Sequence, residues 1–146
     1  MKNLIYEQIK TITENEKDLI ANLSNISACL NENLTDINWV GFYLMKEGEL
    51  VLGPFQGKVA CIRIPIGKGV CGSAVSERKI LRIDDVHQFK GHIACDSASN
   101  SEIVLPIYKH DEIVAVLDID SPSFNRFSEE DEKILNEITD YISKLF

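Results

Sequence analysis

The feature that most constrains the fold is a pair of β-branched runs at residues 102–108 and 113–120, joined only by Lys109-His110-Asp111-Glu112. A connection this short closes a hairpin and cannot make the crossover that parallel strands require, so the pair predicts antiparallel pairing. Earlier strand signals agree. Residues 38–45 are aromatic and β-branched, and Lys46-Glu47-Gly48-Glu49 turns the chain into a second run at 49–53. Residues 60–65 alternate, with Cys61 and Arg63 facing opposite Ile62 and Ile64, and 80–83 is a further short run. Helical patterns flank this block. Residues 1–10 carry Leu4, Ile5 and Ile9 at helical spacing. Thr13 with Glu16 has the form of a capping box opening a second helix, whose stripe is Leu19, Ile20, Leu23, Ile26 and Leu30. Ser128 with Asp131 caps a last helix that buries Ile134, Leu135, Ile138, Tyr141, Ile142 and Leu145. Helices around hairpin-linked strands predict the α+β class, with a central antiparallel sheet between N- and C-terminal helices. No repeat or linker divides the 146 residues, so a single domain over 1–146 is expected.

The formal charge of −8 turns the chain away from two partners at once. Nucleic acid needs clustered Lys and Arg to displace counterions, and anionic membranes attract basic patches, so neither is expected to bind. No secretory h-region or transmembrane run is visible, which predicts a cytoplasmic protein whose thiols are kept reduced.

In that setting the four cysteines call for a reason. Cys29 lies beside the Ile26–Leu30 stripe and reads as core. Cys61, on an alternating run, and Cys71, on a short helix over 70–77, can each be small buried hydrophobes. Cys95 differs, because it sits in an aperiodic polar stretch at 89–100 with His92, Asp96, Ser97 and Ser99 around it. Apolar packing gives no reason for a thiol there, which makes Cys95 the candidate nucleophile. Zinc is the competing use of Cys61, Cys71, His92 and Cys95, but the ten-residue step from Cys61 to Cys71 does not form a knuckle, and no metal is expected. Gly67-Lys68-Gly69-Val70-Cys71-Gly72 fits the G-x-G-x-x-G dinucleotide pattern between a strand and a helix. The hairpin-linked strands that follow lack the parallel crossovers of such a unit, so these glycines read as a turn that brings a helix N-terminus to a pocket.

Asp118 and Asp120 are two apart on one strand and share a face, with Leu117 and Ile119 on the other. Glu102 opens the neighbouring strand and is expected beside them. Two readings stand open: acids that merely end a strand before Ser121-Pro122, or carboxylates held in a partly buried site where one keeps a raised pKa. Trp39 and Tyr43, four apart, share a strand face, as ordinary core aromatics do.

Four motifs in order then resemble one family. Gly53-Pro54-Phe55-Gln56-Gly57 leading to Ala60-Cys61, Gly67-Lys68-Gly69-Val70-Cys71-Gly72, His92-Ile93-Ala94-Cys95-Asp96 and Leu117-Asp118-Ile119-Asp120-Ser121-Pro122 are together similar to the free methionine-(R)-sulfoxide reductases, enzymes built on a GAF domain. The resemblance runs from about residue 38 to the C-terminal helix, with three cysteines at the family spacing. It implies a GAF-like fold and reduction of free methionine-(R)-sulfoxide. Cys95 would attack sulfur and become a sulfenic acid, Cys61 would condense with it to a disulfide, and Cys71 would be the alternative resolving thiol. Thioredoxin or another dithiol would restore the thiols, with no metal or organic cofactor. Glu102, Asp118 and Asp120 resemble the substrate-binding acids, dividing ammonium binding and proton donation in a way the sequence leaves open. Trp39 and Tyr43 resemble the wall that receives the S-methyl group, and backbone amides around Ile93 and Ala94 are candidates for the substrate carboxylate. The resemblance also implies a homodimer. GAF folds serve as ligand sensors too, so a redox-sensing module is the rival class.

Overall fold

The computed structural model describes residues 3–91 and 98–146. Six strands form one sheet: β1 (Trp39–Lys46), β2 (Glu49–Gly57), β3 (Arg63–Pro65), β4 (Leu81–Ile83), β5 (Ser101–Lys109) and β6 (Glu112–Ser121). Their order is β3-β2-β1-β6-β5-β4, and every neighbouring pair is antiparallel. The hairpin turn between β5 and β6 places His110 and Asp111 at φ of 52° and 66°, the left-handed pair that matches strand twist in tight hairpins.

Alternation sorts the central strands onto two faces. Val40, Phe42, Leu44, Ile103, Leu105, Ile107, Ala115, Leu117 and Ile119 point to one side, where α1 (Leu4–Thr13), α2 (Leu19–Asn33) and α4 (Glu129–Ser143) cover them. Trp39, Tyr43, Val104 and Val116 point to the other side, under α3 (Gly69–Glu77) and the segment before β3. The helical layer therefore supplies the main core, and the opposite face carries a second, smaller one. No helix among the described residues is long and apolar enough to cross a membrane.

The capping box expected at Ser128 is present, with Ser128 and Asp131 each accepting from the other's backbone amide. The box expected at Thr13 is not. Thr13 is the last residue of α1, and its buried hydroxyl bonds back to the Ile9 carbonyl at 2.8 Å and meets the Tyr141 hydroxyl at 2.7 Å. Asp18 caps α2 instead, accepting from the Ala21 amide at 2.9 Å, while Glu16 accepts from the Lys17 and Asp18 amides in the turn between the helices. A tertiary partner on α4 thus takes the hydroxyl that the local pattern assigned to a cap.

Two strand boundaries also differ. β2 runs on past residue 53 to Gly57, although it contains Pro54. The pairing with β1 shifts register between Gly41 and Tyr43, opposite that stretch, and an irregular ladder tolerates a residue with no amide proton. A Cβ on Gly41 would lie 2.3 Å from the Phe55 Cβ, so the strands meet closely here only because residue 41 is glycine. Conversely, the strand expected over 60–65 shrinks to Arg63–Pro65. Ile64 is buried while Ile62 is 67% exposed, so the two do not share a buried face, and Cys61 lies in an irregular segment.

Candidate active site

The acids come together as the alternation predicts. Glu102 and Asp120 are direct partners across the β5–β6 ladder, and Asp120 is also opposite Trp39 on β1. Asp118 lies two residues back on the same face. α3 then brings Cys71 onto this group from above. One ligating atom each from Cys71, Glu102 and Asp118 lies within 4.8 Å of the others, and all three residues are buried.

Two carboxyls enclosed this closely cannot both ionise at ordinary cost. Burial pushes Glu102 well above the usual carboxylate range, and the negative charges of Asp118 and Asp120 push it further. Burial also raises Asp118, but hydrogen bonding from Glu102 and from the Cys71 thiol offsets part of that rise. Burial therefore keeps a proton on the pair, and Glu102 is pushed up further than Asp118. Oδ1 of Asp118 is buried without a hydrogen-bond partner among the described residues, which leaves one acceptor for a cationic ligand group. The same surroundings act on Cys71, where burial first and then Asp118 and Glu102 hold the thiol well above its ordinary value. A thiol so placed is a poor nucleophile. Cys71, Glu102 and Asp118 are also the described residues placed to hold a metal, although a cation there would first have to displace the protons that burial retains.

The aromatic pair forms a slab over one side of this cluster. Trp39 stacks on Tyr43 with ring centroids 5.9 Å apart, and Phe55 extends the slab at 5.1 Å from Trp39. Phe55 was not singled out by sequence, although it sits inside the Gly53–Gly57 motif. Both polar ends of the pair are committed: the Trp39 indole donates to the Lys58 carbonyl at 3.2 Å, and the Tyr43 hydroxyl donates to the Cys61 carbonyl at 2.8 Å. The slab and the Cys61 segment are therefore one structure. Cys61 is disulfide-bonded, whereas Cys71 and Cys29 are free thiols. Cys29 is core, as its stripe predicts, packed on α2 with burial raising its thiol.

The glycine motif behaves as a turn. Gly67 and Gly69 have φ of 88° and 62°, and a Cβ on Gly72 would lie 2.4 Å from the Pro65 carbonyl oxygen. The Gly69 amide at the start of α3 donates to the Gly91 carbonyl at 3.1 Å. On the far side of residues 92–97, Ser99 accepts from the Asn38 side chain at 3.1 Å and the Asn100 amide donates to the Ser121 carbonyl at 2.7 Å. The chain is thus pinned before that segment at α3 and after it at β1 and β6, the elements that carry Cys71, Trp39 and Asp120. His92, Ile93, Ala94, Cys95 and Asp96 themselves lie outside the described residues.

Comparison with known proteins matches residues 26–146 to the GAF domain. The free methionine-R-sulfoxide reductase of Escherichia coli (strain K12) is 58% identical over 130 residues, covering 89% of this chain and 79% of that protein. The reduced-form structure of fRMsr of Staphylococcus aureus superposes with a TM-score of 0.95 at 58% identity, covering 97% of this chain and 92% of that one. The chain belongs to the free methionine-R-sulfoxide reductase family. Its fold is the GAF fold, and membership of the family makes it an oxidoreductase. A further member, from Neisseria meningitidis and solved in complex with its substrate, superposes with a TM-score of 0.94 at 42% identity, over 97% of this chain and 86% of that one. The GAF match begins at residue 26, inside α2, so it reaches further toward the N-terminus than the motifs alone suggested.

Proposed function

We propose that this reductase converts free L-methionine-(R)-sulfoxide to L-methionine, with Cys95 as nucleophile and Cys61 as the resolving thiol. The observation that carries the reading is the enclosed carboxyl pair of Glu102 and Asp118, both pushed up by burial, beside Asp120 and the Trp39 slab. A free amino acid sulfoxide offers a cation, an apolar S-methyl group and an oxygen that must be protonated before it can leave, and the site has a counterpart for each. Asp118 and Asp120 hold the ammonium, with the unpartnered Oδ1 of Asp118 as one acceptor. Trp39 receives the methyl group. Glu102 delivers its proton to the sulfoxide oxygen.

Cys95 attacks the sulfoxide sulfur as the protonated oxygen leaves as water, and water then adds to the Cys95 sulfur as the bond between the two sulfurs breaks, its electron pair going to the substrate sulfur and a proton returning to the site. The substrate sulfur gains two electrons and leaves as the thioether of methionine, and Cys95 loses two and becomes a sulfenic acid. The Cys61 thiol then attacks that sulfenic acid, forming a disulfide and releasing water. The bonded state of Cys61 beside the free, desolvated Cys71 supports Cys61 over Cys71 in this step. Thioredoxin, or another dithiol, returns both thiols by exchange. All electrons come from thiols, and we propose that no metal or organic cofactor takes part. Backbone amides near Ile93 and Ala94 are proposed to meet the substrate carboxylate. Because both charged ends of the amino acid are then enclosed, a peptide chain has no exit, and peptide-bound sulfoxide is rejected. We place the enzyme in the cytoplasm, as a homodimer.

The test is turnover of free methionine-(R)-sulfoxide with thioredoxin, thioredoxin reductase and NADPH, beside the same assay on a peptide carrying internal methionine sulfoxide. Oxidation of NADPH with the free amino acid alone supports the reading, and equal turnover of the peptide sinks the enclosure argument.

A further inference from the structure

The segment that carries Cys61 packs on the core through Ala60 and Cys61, while the residues on either side of that pair are exposed. Val59 is 90% exposed and Ile62 67% exposed, and regular pairing resumes only at Arg63. Its backbone is nonetheless fixed at successive points. The Trp39 indole donates to the Lys58 carbonyl, the Tyr43 hydroxyl donates to the Cys61 carbonyl at 2.8 Å, and the Leu52 amide donates to the Ile62 carbonyl at 2.8 Å. Of these, the bond from Tyr43 ends on the cysteine itself. Burial, and then the acids below, push the Tyr43 phenol up, so its hydroxyl stays a donor across the working range. Tyr43 is almost fully buried on a central strand and stacked on Trp39, which makes it a rigid post rather than a mobile contact.

We propose that Tyr43 is a positioning residue for disulfide formation: through the carbonyl of Cys61 it holds the Cys61 thiol where the sulfenic acid forms. The inference rests on the assignment of Cys61 as resolving thiol. Resolution is an intramolecular step, in which the Cys61 thiolate attacks the sulfenic sulfur, hydroxide leaves and takes up the thiol proton as water, and the S–S bond forms. Its rate follows the effective concentration of one sulfur at the other. A partly exposed segment freed from one of its tethers spreads its thiol over more positions and lowers that concentration, whereas the attack on substrate sulfur does not involve the Cys61 thiol.

Tyr43→Phe keeps the ring and its stacking and removes the donor. Losing one such hydrogen bond is expected to slow resolution about tenfold relative to methionine formation in the same molecule. The experiment is a single turnover of fully reduced protein with one equivalent of free methionine-(R)-sulfoxide and no reductant. Methionine, dimedone-trapped sulfenic acid and disulfide are followed in time by mass spectrometry. In the parent protein disulfide should keep pace with methionine. In Tyr43→Phe it should lag about tenfold while trapped sulfenic acid accumulates. Tyr43→Met, which fills the space without a donor, should show the same lag, and near-UV circular dichroism establishes that each variant is folded. An unchanged ratio of disulfide to methionine in both folded variants overturns the proposal. Methionine release by the parent with Cys61 left reduced overturns it differently, by removing Cys61 from the step. Absence of methionine from the parent refutes the underlying activity and the positioning role with it.

Discussion

Replacing Glu102 with Gln should make the protein more stable at neutral pH while stopping its chemistry. In an unfolded chain Glu102 ionises near 4.5, but in the folded protein burial and the neighbouring aspartates keep its proton well above that value. From pH 4.5 upward the folded state therefore binds more protons than the unfolded state, and stability falls as pH rises until the folded carboxyl itself ionises. One proton of difference is worth about 1.4 kcal/mol per pH unit. For this single group the loss at pH 7 is therefore at most about 3.5 kcal/mol, set by the distance from its unfolded value. Gln has no charge to desolvate, and its amide can still donate to Asp118. Glu102→Gln should thus match the parent near pH 4.5 and exceed it by about 1–3 kcal/mol at pH 7–8, a rise of several degrees in Tm for a domain of this size. An amide has no proton to deliver, so methionine formation should fall at least about 100-fold. The assay is urea unfolding at pH 4.5, 6 and 7.5 beside a methionine-release measurement at each pH. A stability difference that does not change with pH, or a variant weaker at every pH, would refute the proposal that Glu102 keeps its proton.

Other perturbations probe the remaining parts. Asp120→Asn should lower turnover at least about tenfold, with unfolding free energy within about 1 kcal/mol of the parent, because Asp120 is only half-buried; a large drop in Tm with normal activity would make it a structural acid. Cys95→Ser should release no methionine, whereas Cys61→Ser should release one equivalent and then stall with thioredoxin, as counted by amino acid analysis. In the reduced native protein at pH 7.5, maleimide should modify Cys71 more slowly than Cys61, since burial and the acids suppress its thiolate; peptide mass mapping reads the order directly. Gly72→Ala sets a methyl group against the Pro65 carbonyl and should cost about 1–3 kcal/mol in urea unfolding while lowering activity through the displacement of Cys71.

The part of the site that follows strand alternation was legible in the sequence. Asp118, Asp120 and Glu102 had to share a face once their strands paired in a tight hairpin, and Trp39 and Tyr43 followed from the same period of two. What the sequence could not supply was set by contacts between distant elements. The patterns Ser128–Asp131 and Thr13–Glu16 look alike, yet only the first is a cap, because Tyr141 on α4 takes the Thr13 hydroxyl. Pro54 reads as the end of a strand until the bulge opposite it is known. Cys61 reads as a strand residue, yet it is held by a phenol eighteen positions earlier. Cys71 could be placed on its helix, but its burial against two acids depends on how α3 lies across β5 and β6. Phe55 gave no signal beyond its motif, since its value lies in stacking on a Trp39 that a nearby strand supplies.

The most direct measurement is methionine release from the separate R and S epimers of free methionine sulfoxide, with dithiothreitol as reductant. Release from the R epimer alone is the predicted result. No release from either epimer by folded, fully reduced protein would contradict the account.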